Sequence, residues 1–288
     1  MPHPSANDSR VALMLRLADL AGEIALRYFQ TADLAIDRKS DDSPVTVADR
    51  SIESTLRSEI ARAFPTDALL GEEFGEEEHG DVAGTSGWRW VIDPIDGTIS
   101  FSTGVPLFGT LIGLEHGDEV VAGICAMPAL GERVWAVRGG GARWERRSGD
   151  GMVASTPARV RPCASLADAL VCTAGLEYFE RARCTETLVA LARAAGRVRG
   201  WSDCYGGMLV ATGRADGWID PVMNPWDSGP FPVILAEAGG VFSDFPGRPD
   251  IRGGSAIAGS PAVHAALLRL AQASASHAAA AGPSNANA

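Results

Sequence analysis

The sequence predicts an α/β layered protein in two units. Three observations carry this: two amphipathic helical stretches at the start, β-like runs separated by short turns in the middle, and alternating strand and helix patterns in the second half. With 288 residues the chain can bury a sizeable core and form one large or two ordinary domains. The split is expected where Gly139-Gly140-Gly141 and the charged stretch 146–151 interrupt the pattern. This gives an N-terminal α+β domain over 9–152 and a C-terminal α/β domain over 153–272. Residues 1–8 are polar and 273–288 are Ala/Ser/Asn-rich, so both ends are expected to be disordered.

The first helix is read with Ser9 as N-cap and Leu13, Leu17, Leu20 and Ile24 on one apolar stripe. A second spans 47–64, with Ile52, Leu56 and Ile60 on one face and Pro65 as its stop. Strand-like runs follow at 68–71 and 88–93, then a meander at 107–115, 120–127 and 133–138. Past the boundary come a strand at 169–173, helices at 177–193 and 203–213, and a strand at 216–219. A helix after Asp227 stops at Gly239-Gly240; a strand at 255–258 and a helix at 261–271 close the chain.

Composition narrows the function. Apolar residues are 46% and charged residues 21%, as in ordinary soluble domains. The 25 Lys+Arg against 36 Asp+Glu leave a net charge of −11, which argues against a nucleic-acid binder. No apolar run approaches the ~20 residues that span a bilayer, and residues 1–8 lack the basic and apolar regions of a signal peptide. Cys125, Cys163, Cys172, Cys184 and Cys204 are odd in number and widely spaced, as expected of reduced thiols in a cytoplasmic protein. No Gly-x-Gly-x-x-Gly follows a strand, and His3, His79, His116, His264 and His277 show no ligand spacing. Trp88, Trp90, Trp135 and Trp144 are read as core or dimer contacts.

Chemistry concentrates in Trp90-Val91-Ile92-Asp93-Pro94-Ile95-Asp96-Gly97-Thr98. A buried-looking run ends in one carboxylate, a second follows three residues on, and Gly-Thr comes next. Two carboxylates at a strand end can share oxygen-seeking cations. Gly97 permits close backbone approach, and a helix opening at Thr98 would turn its first amides toward an anion. These are the parts of a metal-assisted phosphoryl hydrolase. Alone, Asp-Gly-Thr is also an ordinary turn. Its companions are Leu70-Gly71-Glu72-Glu73, Lys39 followed by Pro44-Val45-Thr46-Val47-Ala48-Asp49, and Trp226-Asp227 before Glu237-Ala238-Gly239-Gly240.

In this order the set resembles the inositol monophosphatase family of Mg²⁺-dependent, lithium-sensitive phosphatases. The resemblance implies a layered αβαβα sandwich, a homodimer, two or three Mg²⁺ per site with Mn²⁺ as a possible substitute, and a small phosphate ester as substrate. It implies Glu72, Asp93, Asp96, Asp227 and the Ile95 carbonyl as metal ligands, with Asp96, Gly97 and Thr98 around the phosphate. Glu72 and the Thr98 hydroxyl would position the attacking water, Asp49 would partner Thr98, and Lys39 would sit near an outer metal. The rival class is an inactive metal-dependent binding module on the same fold; retention of Glu72, Asp93, Asp96, Thr98 and Asp227 argues against it.

Two positions bear on the leaving group. Asp220 stands seven residues before Asp227, where inositol phosphatases place a substrate-binding Glu, and Asp203 falls where they carry a small residue. Two acids favour a cationic leaving group through charge-assisted hydrogen bonds; histidinol, with an ammonium and an imidazole, fits better than neutral inositol. Asp203-Cys204-Tyr205-Gly206 and the stretch from Phe101 to Thr110 resemble the histidinol-phosphatase branch. Asp203 could equally cap the following helix. The alternatives are an inositol-1-phosphatase or a broad sugar and nucleotide phosphatase of the same fold.

Overall fold

The computed structural model describes residues 8–31, 36–38, 44–77, 85–149, 151–201 and 203–280. Helix α1 (Ser9–Tyr28) buries the expected Leu13, Leu17 and Ile24. Its cap is Asp8 rather than Ser9: the Asp8 carboxylate accepts from the Arg10 amide at 2.8 Å, where a negative charge also complements the helix dipole. Strands β1 (Ile36–Arg38) and β2 (Pro44–Thr46) pair antiparallel and lead into α2 (Val47–Ala63).

The first sheet is built from β3 (Ala68–Gly71), β4 (Gly75–Glu77), β5 (Trp88–Asp96), β6 (Gly109–His116), β7 (Glu119–Met127), β8 (Glu132–Val137), β9 (Gly141–Arg147) and β10 (Val153–Pro157), with the short α3 (Thr98–Ser102) after β5. Its order is β10-β9-β8-β7-β6-β5-β3-β4. The boundary expected at 152 therefore falls inside a hairpin, and the sheet continues to Pro157. Gly139 and Gly141 form a tight turn whose amides donate to the Glu237 carboxylate at 2.7 and 2.8 Å. The charges that looked like a linker begin on an outer strand: Arg146 of β9 lies over the Trp144 ring at 4.2 Å, and Arg214, from the loop after α6, lies over the same ring at 4.7 Å.

The second half holds β11 (Leu170–Thr173), α4 (Leu176–Arg181), α5 (Thr185–Ala194), β12 (Arg197–Arg199), α6 (Asp203–Ala211), β13 (Gly217–Asp220), α7 (Pro225–Ser228), α8 (Phe231–Glu237), β14 (Val241–Ser243), β15 (Ala256–Gly259) and α9 (Pro261–Ala280). Five of these form a mixed sheet ordered β12-β11-β13-β15-β14. The single helix expected over 177–193 is broken, because Arg183 takes φ 55° between α4 and α5. The helix after Asp227 is likewise two, interrupted at Gly229-Pro230. That kink rests on the first sheet at the cross-strand pair Gly113–Gly123, where a Cβ would stand 2.7 Å from the Gly229 carbonyl or 2.6 Å from Pro230 Cα. Helix α9 runs to Ala280, past the boundary expected at 272, through a stretch rich in alanine, the strongest helix former.

Three apolar clusters stack the layers. Helices α1 and α2 pack on one face of the large sheet through Leu17, Ile52, Trp90 and Ile112. Its other face meets α6 and α8, and then the inner face of the small sheet, through Met208, Phe231, Cys172 and Trp218. Val171, Leu191, Ile257, Val263 and Leu267 bury the outer face of the small sheet under α5 and α9. This is the αβαβα sandwich expected. The five cysteines are free, and among the described residues no helix is long and apolar enough to cross a membrane. Trp90 is core, Trp88 stacks on His116 at 4.4 Å, and the indoles of Trp135 and Trp144 donate to Glu145 and Glu132.

Candidate active site

Residues three apart in a regular strand face opposite sides of a sheet. Asp93 and Asp96 nevertheless meet, because the β5–β6 register slips between them, an irregularity of the kind that re-aims side chains at sites. The slip is held by the buried Thr110 hydroxyl, which donates to the Pro94 carbonyl at 2.9 Å. Asp227, in the first turn of α7, completes the group: ligand oxygens of Asp93, Asp96 and Asp227 lie within 4.8 Å of one another. The Asn224 amide donates to Asp227 Oδ2 at 2.7 Å, a capping-box contact that fixes the carboxylate. Glu72 follows β3, whose parallel pairing sets Gly71 beside Ile92; the Glu72 amide donates to the Ile92 carbonyl at 3.2 Å, next to Asp93.

The convergence sets the electrostatics. Burial, then the charges of Glu72, Asp96 and Asp227, push Asp93 well above the ordinary carboxylate range. Burial, then Asp203 and Asp227, does the same to Asp96. Burial raises Asp227 to about 7, with Glu72 adding to the shift. Glu72 thus presents its charge to Asp93 and Asp227, while Glu73 acts first on Asp49. Asp93 Oδ1 is buried with no hydrogen-bond partner among the described residues. An all-carboxylate set with an orphaned buried oxygen fits a hard divalent cation.

Gly97 follows directly. Its φ of +83° is left-handed, and a Cβ there would stand 2.8 Å from the Leu107 carbonyl and 3.3 Å from Asp203 Oδ2. Only glycine fits. Helix α3 opens at Thr98, so its first amides lack intrahelical acceptors. The Thr98 hydroxyl donates to the Ile95 carbonyl at 3.2 Å. The Asp49–Thr98 partnership implied by the resemblance is not formed. Asp49 instead caps α2, its Oδ2 accepting from the Thr46 amide at 2.8 Å and the Thr46 hydroxyl at 2.5 Å. The reason is local: Thr46 and Asp49 have capping-box spacing, a signal present in the sequence. Burial raises Asp49 to about 7 despite these bonds, and its Oδ1 is buried without a partner among the described residues. Lys39 lies outside the described residues.

On the far side of Gly97, α6 begins at Asp203 with φ 52°. The next amide, of Cys204, donates to Asp96 Oδ2, tying the start of α6 to the acidic group. Sequence reasoning missed this backbone contact, which no residue pattern advertises. Asp220 ends β13 and is buried; burial pushes its pKa up, and the charges of Asp203 and Asp227 add to the shift. Burial raises Tyr178 on α4 to about 12, with Asp203 and Asp220 contributing. Asp203 therefore stands beside the glycine turn, and its charge acts on the buried Asp220.

Carboxylates able to hold divalent cations are the donor set used in metal-assisted hydrolysis of phosphoric monoesters. The family comparison points the same way: the model of the inositol monophosphatase family matches residues 7–276, and the chain belongs to this family of phosphoric monoester hydrolases. A histidinol-phosphatase of Chlorobaculum parvum is 42% identical over 245 residues, covering 85% of this chain and 89% of that protein. An inositol-1-monophosphatase of Mesorhizobium japonicum is 32% identical over 270 residues, covering 92% and 96%. The crystal structure of extragenic suppressor protein suhB from Bartonella henselae superposes with a TM-score of 0.80 at 27% identity, covering 92% of this chain and 99% of that one.

Proposed function

We propose that the protein is a Mg²⁺-dependent phosphomonoesterase that converts L-histidinol phosphate and water to L-histidinol and phosphate. The substrate reading rests on the pair Asp203 and Asp220: Asp203 stands beside the glycine turn, and its charge acts on the buried Asp220. Glu72, Asp93, Asp96, Asp227 and the Ile95 carbonyl would hold two or three Mg²⁺, with Mn²⁺ as a possible substitute. When bound, the cations neutralise the cluster, acidify a water and stabilise charge on the leaving oxygen. The amides of Gly97 and Thr98 bind phosphate oxygens. Glu72 and the Thr98 hydroxyl orient the water, which attacks phosphorus in line as the bond to the alcohol oxygen breaks; no side chain is phosphorylated. Asp203 and Asp220 receive the ammonium and imidazole of the leaving group. The resemblance supports a homodimer, and the free thiols support a cytoplasmic location.

Inositol-1-phosphate is the second reading, supported by the 32% identical relative. The test is kcat/KM on both esters for wild type and Asp220→Asn. A loss confined to histidinol phosphate supports the assignment, and equal effects on both esters sink it. Asp93→Asn checks the metal site separately: Mg²⁺-dependent phosphate release is expected to fall by about a thousandfold or more, the scale on which charge stabilisation acts in catalysis. Unchanged release would rule out the ligand set.

A further inference from the structure

Glu53 lies on α2, one turn beyond Asp49, and is wholly buried. Its carboxylate is used on the turn after β3. Oε2 accepts from the Glu73 amide at 2.7 Å; Oε1 accepts from the Phe74 amide at 3.2 Å and from Arg57 Nε at 2.8 Å. Arg57, 5% exposed, donates to the Gly75 carbonyl at 2.5 Å and lies 5.7 Å from the Phe74 ring centroid. One buried ion pair thus holds the turn through two amides, of Glu73 and Phe74, and the Gly75 carbonyl. Glu72 heads this turn. Gly71 leaves the space the clamp requires, since a Cβ there would stand 2.1 Å from Glu53 Oε1.

A buried ion pair is a poor device for stability alone, because desolvation offsets its attraction and an apolar pair of similar volume often serves as well. Its use here is geometric. We propose that Glu53, with Arg57 as its partner, is a positioning residue that presents the Glu72 carboxylate to the cation site. This rests on the reading of Glu72 as a metal ligand. Outer groups that orient metal ligands typically change affinity by about 10–100-fold when removed.

Glu53→Gln keeps the volume but replaces one acceptor oxygen with a donor facing a turn amide or Arg57. Two readouts are taken without substrate: Mn²⁺ affinity by calorimetry, and amide hydrogen exchange of the metal-free protein. Mn²⁺ affinity is expected to fall about tenfold. Exchange should accelerate at 72–75 and stay unchanged in β5 and β6. Gly71→Ala displaces the carboxylate without altering its charge and should give the same two changes, so it decides the matter if Glu53→Gln does not fold. Unchanged Mn²⁺ affinity in a folded variant, or acceleration spread evenly through the molecule, overturns the proposal. Glu72→Gln is the control. If it leaves Mn²⁺ affinity intact, the ligand reading of Glu72 has failed; if it weakens binding while Glu53→Gln does not, only the clamp has failed.

Discussion

Asp203 holds a left-handed backbone, φ 52°, that costs a non-glycine residue roughly 1–2 kcal/mol, and asparagine tolerates that region better than alanine does. Charge and conformation can therefore be separated at one position. Asp203→Asn should keep the fold and lower kcat/KM for histidinol phosphate by about 10–100-fold, the value of a charge-assisted hydrogen bond. The change for inositol-1-phosphate should stay within about threefold, since a neutral alcohol loses no ionic partner. Asp203→Ala should add a loss of thermal stability that Asp203→Asn lacks. Gly97→Ala tests the phosphate turn: its Cβ would meet the Leu107 carbonyl at 2.8 Å. It should destabilise by more than about 1 kcal/mol and weaken inhibition by inorganic phosphate, read by denaturation and by the phosphate Ki. At this scale the clustered carboxylates were legible, because Asp93 and Asp96 sit at an abrupt end of an apolar run. Glu53 was not. A Glu–Arg pair at i,i+4 on a helix reads as solvated surface, and only the fold buries it beneath the Glu72 turn.

Among elements, long periodic stretches were read well and charged edges poorly. The stripe of α1 and the meander cores fix their own burial. Strand β9 carries mixed charge and β10 is short and exposed, so their sequence resembles a linker although the ladder continues through them. The glycine turn before β9 is held from a distant helix by Glu237, a contact between residues far apart in sequence. Glu237→Ala removes the acceptor for two amides and should cost about 1–3 kcal/mol in chemical denaturation. The kcat should be unchanged, because Glu237 ends α8 while Asp227 lies upstream in α7. A matching fall in kcat would show that the hairpin and the site are coupled. The kinks at Arg183 and Gly229-Pro230 escaped the helical pattern because periodicity continues across a local change of backbone direction.

At the scale of the whole molecule, the site is a store of unfavourable charge. Asp49 and Asp227 each have a folded-state pKa raised from 3.8 to about 7. A raised pKa means that the stability these groups contribute is fully present below about pH 4 and is lost as pH rises through about 7. The metal-free protein should therefore lose thermal stability between those values. Saturating Mg²⁺ should flatten the decline, since a ligand of the folded state adds stability that grows with its affinity. A melting series with and without Mg²⁺ across this range checks it; parallel curves would place the cations elsewhere. The layered fold was legible as alternation, and the site lies where the two sheets and α6 meet. We propose that Asp203 and Asp220 select a cationic leaving group. The most direct test is Mg²⁺-dependent phosphate release, at equal concentrations, from L-histidinol phosphate, inositol-1-phosphate, fructose-1,6-bisphosphate and 3′-phosphoadenosine 5′-phosphate. Clear preference for L-histidinol phosphate is predicted; preference for inositol-1-phosphate, or release from none of the four, would contradict it.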